Sequence, residues 1–261
     1  MSTVPPPIDP NRPSAARIYD AFLGGTHNFA ADRAVAARAA ELLPEIPSIA
    51  RANRAFLQRA VRYATRRGIR QFLDLGSGIP TERNVHEVAR EEAPDATVVY
   101  VDRDPTAVLY SRHMLDGDDQ TAILQSDLRD PAAILDTPEA RDLLDLSRPV
   151  GVLMVAVLHF LPDGPDLDAA LLGYREATAP GSLLAISHAT SSSDPQLTDR
   201  LAELYSRTGT PLVLRDAARV SRFFDGWTMV EPGLVHGPRW RPDDPVTGAE
   251  GFLTLAGVAE R

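Results

Sequence analysis

Three aspartates and a pair of glycines are spaced as a nucleoside-binding site requires. Asp74-Leu75-Gly76-Ser77-Gly78-Ile79-Pro80-Thr81 follows a short apolar run, and its glycines let the backbone turn sharply and approach a ligand closely. A helix over 82–92, read as following directly, would aim its free N–H groups at an anion. Alone, such a string equally describes a plain strand-to-helix turn. The next two apolar runs add to it. Val101-Asp102-Arg103-Asp104-Pro105 places Asp102 24 residues after Gly78, where an acid accepts hydrogen bonds from both ribose hydroxyls. Asp104, just before Pro105, suits the helix cap better, which leaves Asp102 over. Asp127-Leu128-Arg129-Asp130-Pro131 repeats the arrangement. Asp130 caps, Asp127 is left to accept from an adenine amino group, and Leu128 to pack on the ring. After the fourth run comes Val157-Leu158-His159-Phe160-Leu161-Pro162-Asp163. A lone histidine beside an apolar strand is commonly a satisfied core residue, but His159 falls at the carboxyl end, where ligands bind.

Alternating strands and helices must carry these residues. Strands are predicted over 71–75, 97–101, 121–125, 150–157 and 183–187. Helices are predicted over 82–92, 105–115, 131–146 (broken near Pro138), 166–178, 194–208 and 216–224. Repeated β-α units imply a parallel sheet covered on both faces. Two further strands, 227–230 and 252–258, flank a proline- and glycine-rich loop with no helix between them, which predicts an antiparallel hairpin at one edge. The expectation is a Rossmann-like, doubly wound α/β sheet of seven strands.

Before the sheet, residues 1–13 hold five prolines and read as a flexible tail. Residues 14–69 read as a helical arm: a helix, the turn Gly24-Gly25-Thr26-His27-Asn28, a second helix, and an amphipathic helix from a Ser48 cap to Arg67, stopped by Gly68. The segment 46–73 carries seven arginines and no acid, and reads as a solvated helix face rather than an RNA-binding stripe. Residues 70–261 form the sheet domain.

Composition excludes several chemistries. There is no cysteine, hence no disulfide, thiolate nucleophile or Cys-ligated metal, and no metal site is expected. All 27 basic residues are arginine, so Schiff-base and Walker A lysines are absent. A net charge of −9 disfavours nucleic-acid partners. No apolar run approaches the roughly 20 residues of a membrane span, and no signal segment is evident, so a cytoplasmic location is expected.

The ordered set of motifs resembles the class I S-adenosylmethionine-dependent methyltransferases over about residues 70–190. It resembles more closely the actinobacterial S-adenosyl methyltransferase family formerly known as DUF574. That likeness rests on Ala16-Arg17-Ile18-Tyr19-Asp20, Leu23-Gly24-Gly25 and Asn28-Phe29. It continues through Arg51-Ala52-Asn53-Arg54, Gly78-Ile79-Pro80-Thr81, Asn84-Val85-His86-Glu87, Val157-Leu158-His159-Phe160, Ser187-His188 and Glu231-Pro232-Gly233-Leu234-Val235. Pro80 stands where the wider class has a third glycine. The resemblance implies S-adenosyl-L-methionine as cofactor, held by Asp74, Gly76, Ser77, Gly78, Asp102, Arg103, Asp127, Leu128 and His159. Arg17 is expected to pair with its carboxylate, and Tyr19 to contact its methionine end or the acceptor. It implies methyl transfer to an oxygen or nitrogen of a small molecule, with His159 as base and Tyr19, Asp20 or His27 contributing from the arm. The Gly24-Gly25 turn reads as the hinge of a lid, against the plainer alternative of a helical hairpin corner. A non-catalytic regulatory protein that binds the same cofactor is the alternative function. A nicotinamide-dependent oxidoreductase is less favoured, because Thr81 replaces its third glycine.

Overall fold

A computed structural model describes residues 8–80, 83–191, 195–206, 208, 210–245 and 252–261. Its sheet is built from β1 (Gln71–Leu75), β2 (Thr97–Asp102), β3 (Thr121–Gln125), β4 (Gly151–Val155), β5 (Leu183–Ala189), β6 (Thr228–Met229), β7 (Val235–His236) and β8 (Thr254–Glu260). The order is β3-β2-β1-β4-β5-β8-β6, with β7 also paired to β8. The first five strands are parallel. β8 runs antiparallel between β5 and the two short strands. Strand order reverses at β1, which opens a crevice between the loops leaving β1 and β4.

Period-two alternation sorts the strand side chains into two cores. Leu73, Leu75, Val99, Val101, Val152 and Met154 face one side, against Leu167, Ala170, Tyr174 and Phe224. Phe72, Val98, Tyr100 and Leu153 face the other, against Phe56, Leu57, Ala60 and Val61 of the long arm helix.

The structure corrects several expectations. The described sheet has eight strands, not seven, because Val235–His236 pairs with Leu255 and Ala256 inside the segment read as loop. Two residues are too few to show a period. The fourth strand ends at Val155, because Ala156 turns into the left-handed region at φ +57°. The helix after the glycine loop is only α4 (Val85–Arg90), capped by Asn84. It does not follow the glycines directly, and Thr81 and Glu82 lie outside the described residues.

In the arm, α1 (Ala15–Phe22) and α2 (Ala30–Leu42) flank the glycine turn. The long helix α3 (Ile46–Arg66) starts two residues before Ser48, with Pro47 in its first turn. Its arginines are not all solvated, since Arg59 donates to the carbonyls of Trp240 and Gly237 at 2.8 and 2.9 Å. Of the segment read as a flexible tail, residues 1–7 lie outside the described residues. Asp9 and Arg12 offer their carbonyls to Arg17. No described helix is long and apolar enough to cross a membrane.

Candidate active site

A cavity of about 350 Å³ lies over the carboxyl ends of β1 to β4, with α1 and α3 closing its other side. The strands contribute Asp74, Gly76, Ser77, Gly78, Asp102, Arg103, Asp127, Leu128 and Ala156 to its wall, and the arm contributes Tyr19, Asp20, Leu23, Asn53 and Arg54. The glycine loop is held by its neighbours. Gly76 and Ser77 donate to the Val101 carbonyl at 2.8 and 3.1 Å. Gly78 N–H donates to Asp102 Oδ2 at 2.7 Å, while Asp102 Oδ1 accepts from Asp104 N–H at 2.8 Å. Both glycines have positive φ, +77° and +67°, so each needs glycine's freedom. Their surroundings differ. A Cβ on Gly76 would sit 2.3 Å from Val157 Cγ2, whereas one on Gly78 would meet nothing within 4 Å. Gly78 therefore borders the empty space itself.

The site is rich in acid. Burial pushes Asp74 up to about 7, a rise opposed by Arg54 and reinforced by Asp102. Burial likewise raises Asp102 to about 6, against the lowering effect of its two backbone donors. Asp127 is lowered, first by its hydrogen bonds from Arg129, whose Nη2 lies 2.6 Å from Oδ2. Ser77 Oγ is buried with no hydrogen-bond partner. An orphaned hydroxyl beside empty space, between carboxylates that burial disfavours as anions, suits a polar ligand carrying positive charge.

Comparison with known proteins identifies such a ligand. The model of the S-adenosyl methyltransferase family matches residues 1–261. The chain belongs to that family. Its cofactor is S-adenosyl-L-methionine and its activity is methyl transfer. A methyltransferase candidate from Thermobifida fusca is 40% identical, with a TM-score of 0.92 over 100% of this chain and 99% of the other. A DUF574 family protein from Streptomyces avermitilis is 39% identical, with a TM-score of 0.91 over 98% and 100%. The N-methyltransferase NodS from Bradyrhizobium japonicum, solved with S-adenosyl-L-homocysteine, shares the fold at 13% identity and a TM-score of 0.50, over 80% of this chain and 86% of that one. No curated protein matches.

Three of the residues expected at the site fall outside the cavity wall. Arg17 is buried, and its guanidinium is already engaged. Nε donates to Asp32 Oδ2 at 2.8 Å, Nη1 to Thr106 Oγ1 at 3.0 Å, and Nη2 to the carbonyls of Arg12 and Asp9. It pins α1 to α2 and to α5 (Pro105–Met114), away from the cavity wall. His27 donates its backbone N–H to Asp20, and its ring lies edge-on to Tyr110 with centroids 4.2 Å apart. His159 is buried behind the wall. Its Nδ1 accepts from Ala189 N–H at 3.2 Å, so its proton sits on Nε2. Burial, His188 and Arg215 all lower its pKa. This is a neutral packing histidine, not a base facing the cavity. Tyr19 does line the cavity, but its hydroxyl donates to the Ala50 carbonyl at 3.0 Å and accepts from Asn53 at 2.9 Å, and burial raises its pKa.

Other residues reach the site that the sequence reading named only as part of the family motifs, with no role at the cavity. Asn53 links Tyr19 to Ser187 Oγ at 2.5 Å, and Ser187 Oγ in turn accepts from Ala156 N–H at 2.9 Å. That chain holds the turn after β4, which sends Phe160 and Leu161 into the cavity wall. The available signal was a buried asparagine set three residues from Ala50 and Phe56 in the apolar stripe of α3. Arg54 beside it belongs to the same family motif, Arg51-Ala52-Asn53-Arg54, which gave neither residue a role.

Proposed function

We propose that the protein transfers the methyl group to an oxygen or nitrogen atom of a small molecule. The cofactor lies along the strand ends, with Asp102 on the ribose hydroxyls, Asp127 and Leu128 on the adenine, and Asp74, Ser77 and Gly78 toward the methionine end. When bound, it supplies an electrophilic sulfonium methyl. The observation that carries this reading is the open space at Gly78 beside the unpartnered Ser77 hydroxyl, with Asp74 and Asp102 on the same wall.

The chain's own residues contribute position and desolvation. α1 forms the wall opposite the strand ends, and the apolar Leu23, Leu57, Phe160 and Leu161 keep water from the reacting centre. Asp20 lines the cavity from the arm, and its Oδ2 holds the turn after α1 by accepting from His27 N–H at 2.9 Å and Asn28 Nδ2 at 2.7 Å.

Calorimetry with S-adenosylhomocysteine on the Asp102→Ala and Asp127→Ala variants tests the nucleoside placement. Each loss should weaken binding roughly ten- to hundredfold, and wild-type affinity in a folded Asp102→Ala protein refutes it. A screen of small hydroxyl and amine compounds as methyl acceptors then tests the reaction. Turnover only on macromolecular acceptors refutes the small-molecule reading.

A further inference from the structure

Beside the glycine loop lies a second, smaller space of about 20 Å³, whose wall includes Arg54, Asp74, Ser77, Gly78, Asn84 and His86. Arg54, Asp74, Ser77 and Gly78 line both this recess and the main cavity, so the four stand together at one wall of the site. We infer that Arg54 binds the carboxylate of the cofactor's methionine end, with Asp74 beside it facing the α-ammonium. The inference rests on the cofactor placement proposed above.

Three observations carry it. First, the arginine that sequence pattern offered for this role, Arg17, is buried outside the cavity, with four hydrogen bonds from its guanidinium to other partners. Two guanidinium groups line the cavity among the described residues, Arg54 and Arg103. Second, these two stand at different places. Arg103 follows Asp102 at the end of β2, on the nucleoside side. Arg54 descends from α3 to the glycine loop, with Nη2 3.3 Å from the Arg83 carbonyl and 3.5 Å from Asn84 Oδ1. A nucleoside lying over β2 and β3 directs its 5′ substituent across β1, toward Asp74 and Arg54. Third, a cation and an acid lining one recess complement the two charges of an α-amino acid, and each charge is favoured by the other. A cofactor lacking that group loses both contacts.

Ligands truncated at the methionine end make the test specific. Calorimetry on the full chain would compare S-adenosylhomocysteine, S-adenosylmethionine, its decarboxylated form and 5′-methylthioadenosine, with wild type and Arg54→Ala. The variant should bind the two carboxylate-bearing ligands roughly ten- to hundredfold more weakly, and the other two within about twofold of wild type. Arg54→Gln, which keeps an amide donor without the charge, should show the same pattern less strongly. It guards against a folding defect, as do the unchanged affinities. Equal weakening of all four ligands would make Arg54 a support for the loop and overturn the assignment, as would unchanged S-adenosylhomocysteine affinity. Failure of the underlying placement reads differently: Asp102→Ala then leaves 5′-methylthioadenosine affinity unchanged.

Discussion

Alanine at position 78 and alanine at position 76 should damage the protein in different ways, although both glycines have positive φ. An L-residue in the left-handed region costs about 1–2 kcal/mol, and this cost falls on both variants. At position 78 nothing is added to it, since the new Cβ enters open space. At position 76 the Cβ lies 2.3 and 2.7 Å from the Cγ2 and Cβ of Val157, and relieving that clash should cost about 1–3 kcal/mol more. In a chain of this size about 1 kcal/mol moves Tm by roughly 2–4 °C. Gly78→Ala should therefore melt about 2–8 °C below wild type, and Gly76→Ala about 4–20 °C below. Binding reports on the site. On the proposed placement the space at Gly78 is ligand space, so the added methyl should weaken S-adenosylhomocysteine binding about five- to hundredfold by roughly the same overpacking cost. Thermal melting and calorimetry on both variants decide the matter. Wild-type affinity in Gly78→Ala would show that the cofactor does not use that space. Wild-type stability in Gly76→Ala would refute the packing argument against Val157.

Arg17→Ala should be strongly destabilised, by about 3–5 kcal/mol, because it strands the buried Asp32. Cofactor affinity per folded molecule should stay near wild type, and a selective affinity loss in urea-titrated, calorimetrically tested protein would restore Arg17 to the site. Asp74 and Asp102 are raised to about 7 and about 6, against about 4 in an unfolded chain. The folded state then binds more protons between those limits, so these two groups make stability fall as pH rises from about 4 to about 7. The lowered His159 and His188 act in the opposite sense, so the informative quantity is the difference between Asp74→Asn and wild type in urea unfolding. The variant should lose less stability as pH rises, and an unchanged profile would count against a buried Asp74. Added S-adenosylhomocysteine should slow hydrogen exchange across Tyr19–Asn28, since α1 walls the cavity. Exchange there that ignores the ligand would leave the arm with a packing role alone.

Local pattern was enough to read the five parallel strands and the glycines that follow the first of them. Short apolar runs at 71–75 and 97–101, and the paired aspartates that follow the second and third runs, are properties of neighbouring residues and survive in the sequence. The caps illustrate this, with Asp104 accepting from Thr106 N–H at 2.7 Å and Asp130 from Ala133 N–H at 3.0 Å. Those caps freed Asp102 and Asp127 for the cavity wall, where both lie. What the sequence left undecided is how each polar side chain is used, because its partners are distant in the chain. Arg17 is turned from the site by Asp32 and by Thr106, which lies 89 residues away. Asn53 is drawn into the site by Ser187, 134 residues away. His159 stands at the expected strand end, yet the backbone N–H of Ala189 holds its ring behind the wall. A side chain's type states which bonds it can make; only the folded chain decides which partner reaches it first, and that choice separated the residues that line this cavity from those that hold it in shape.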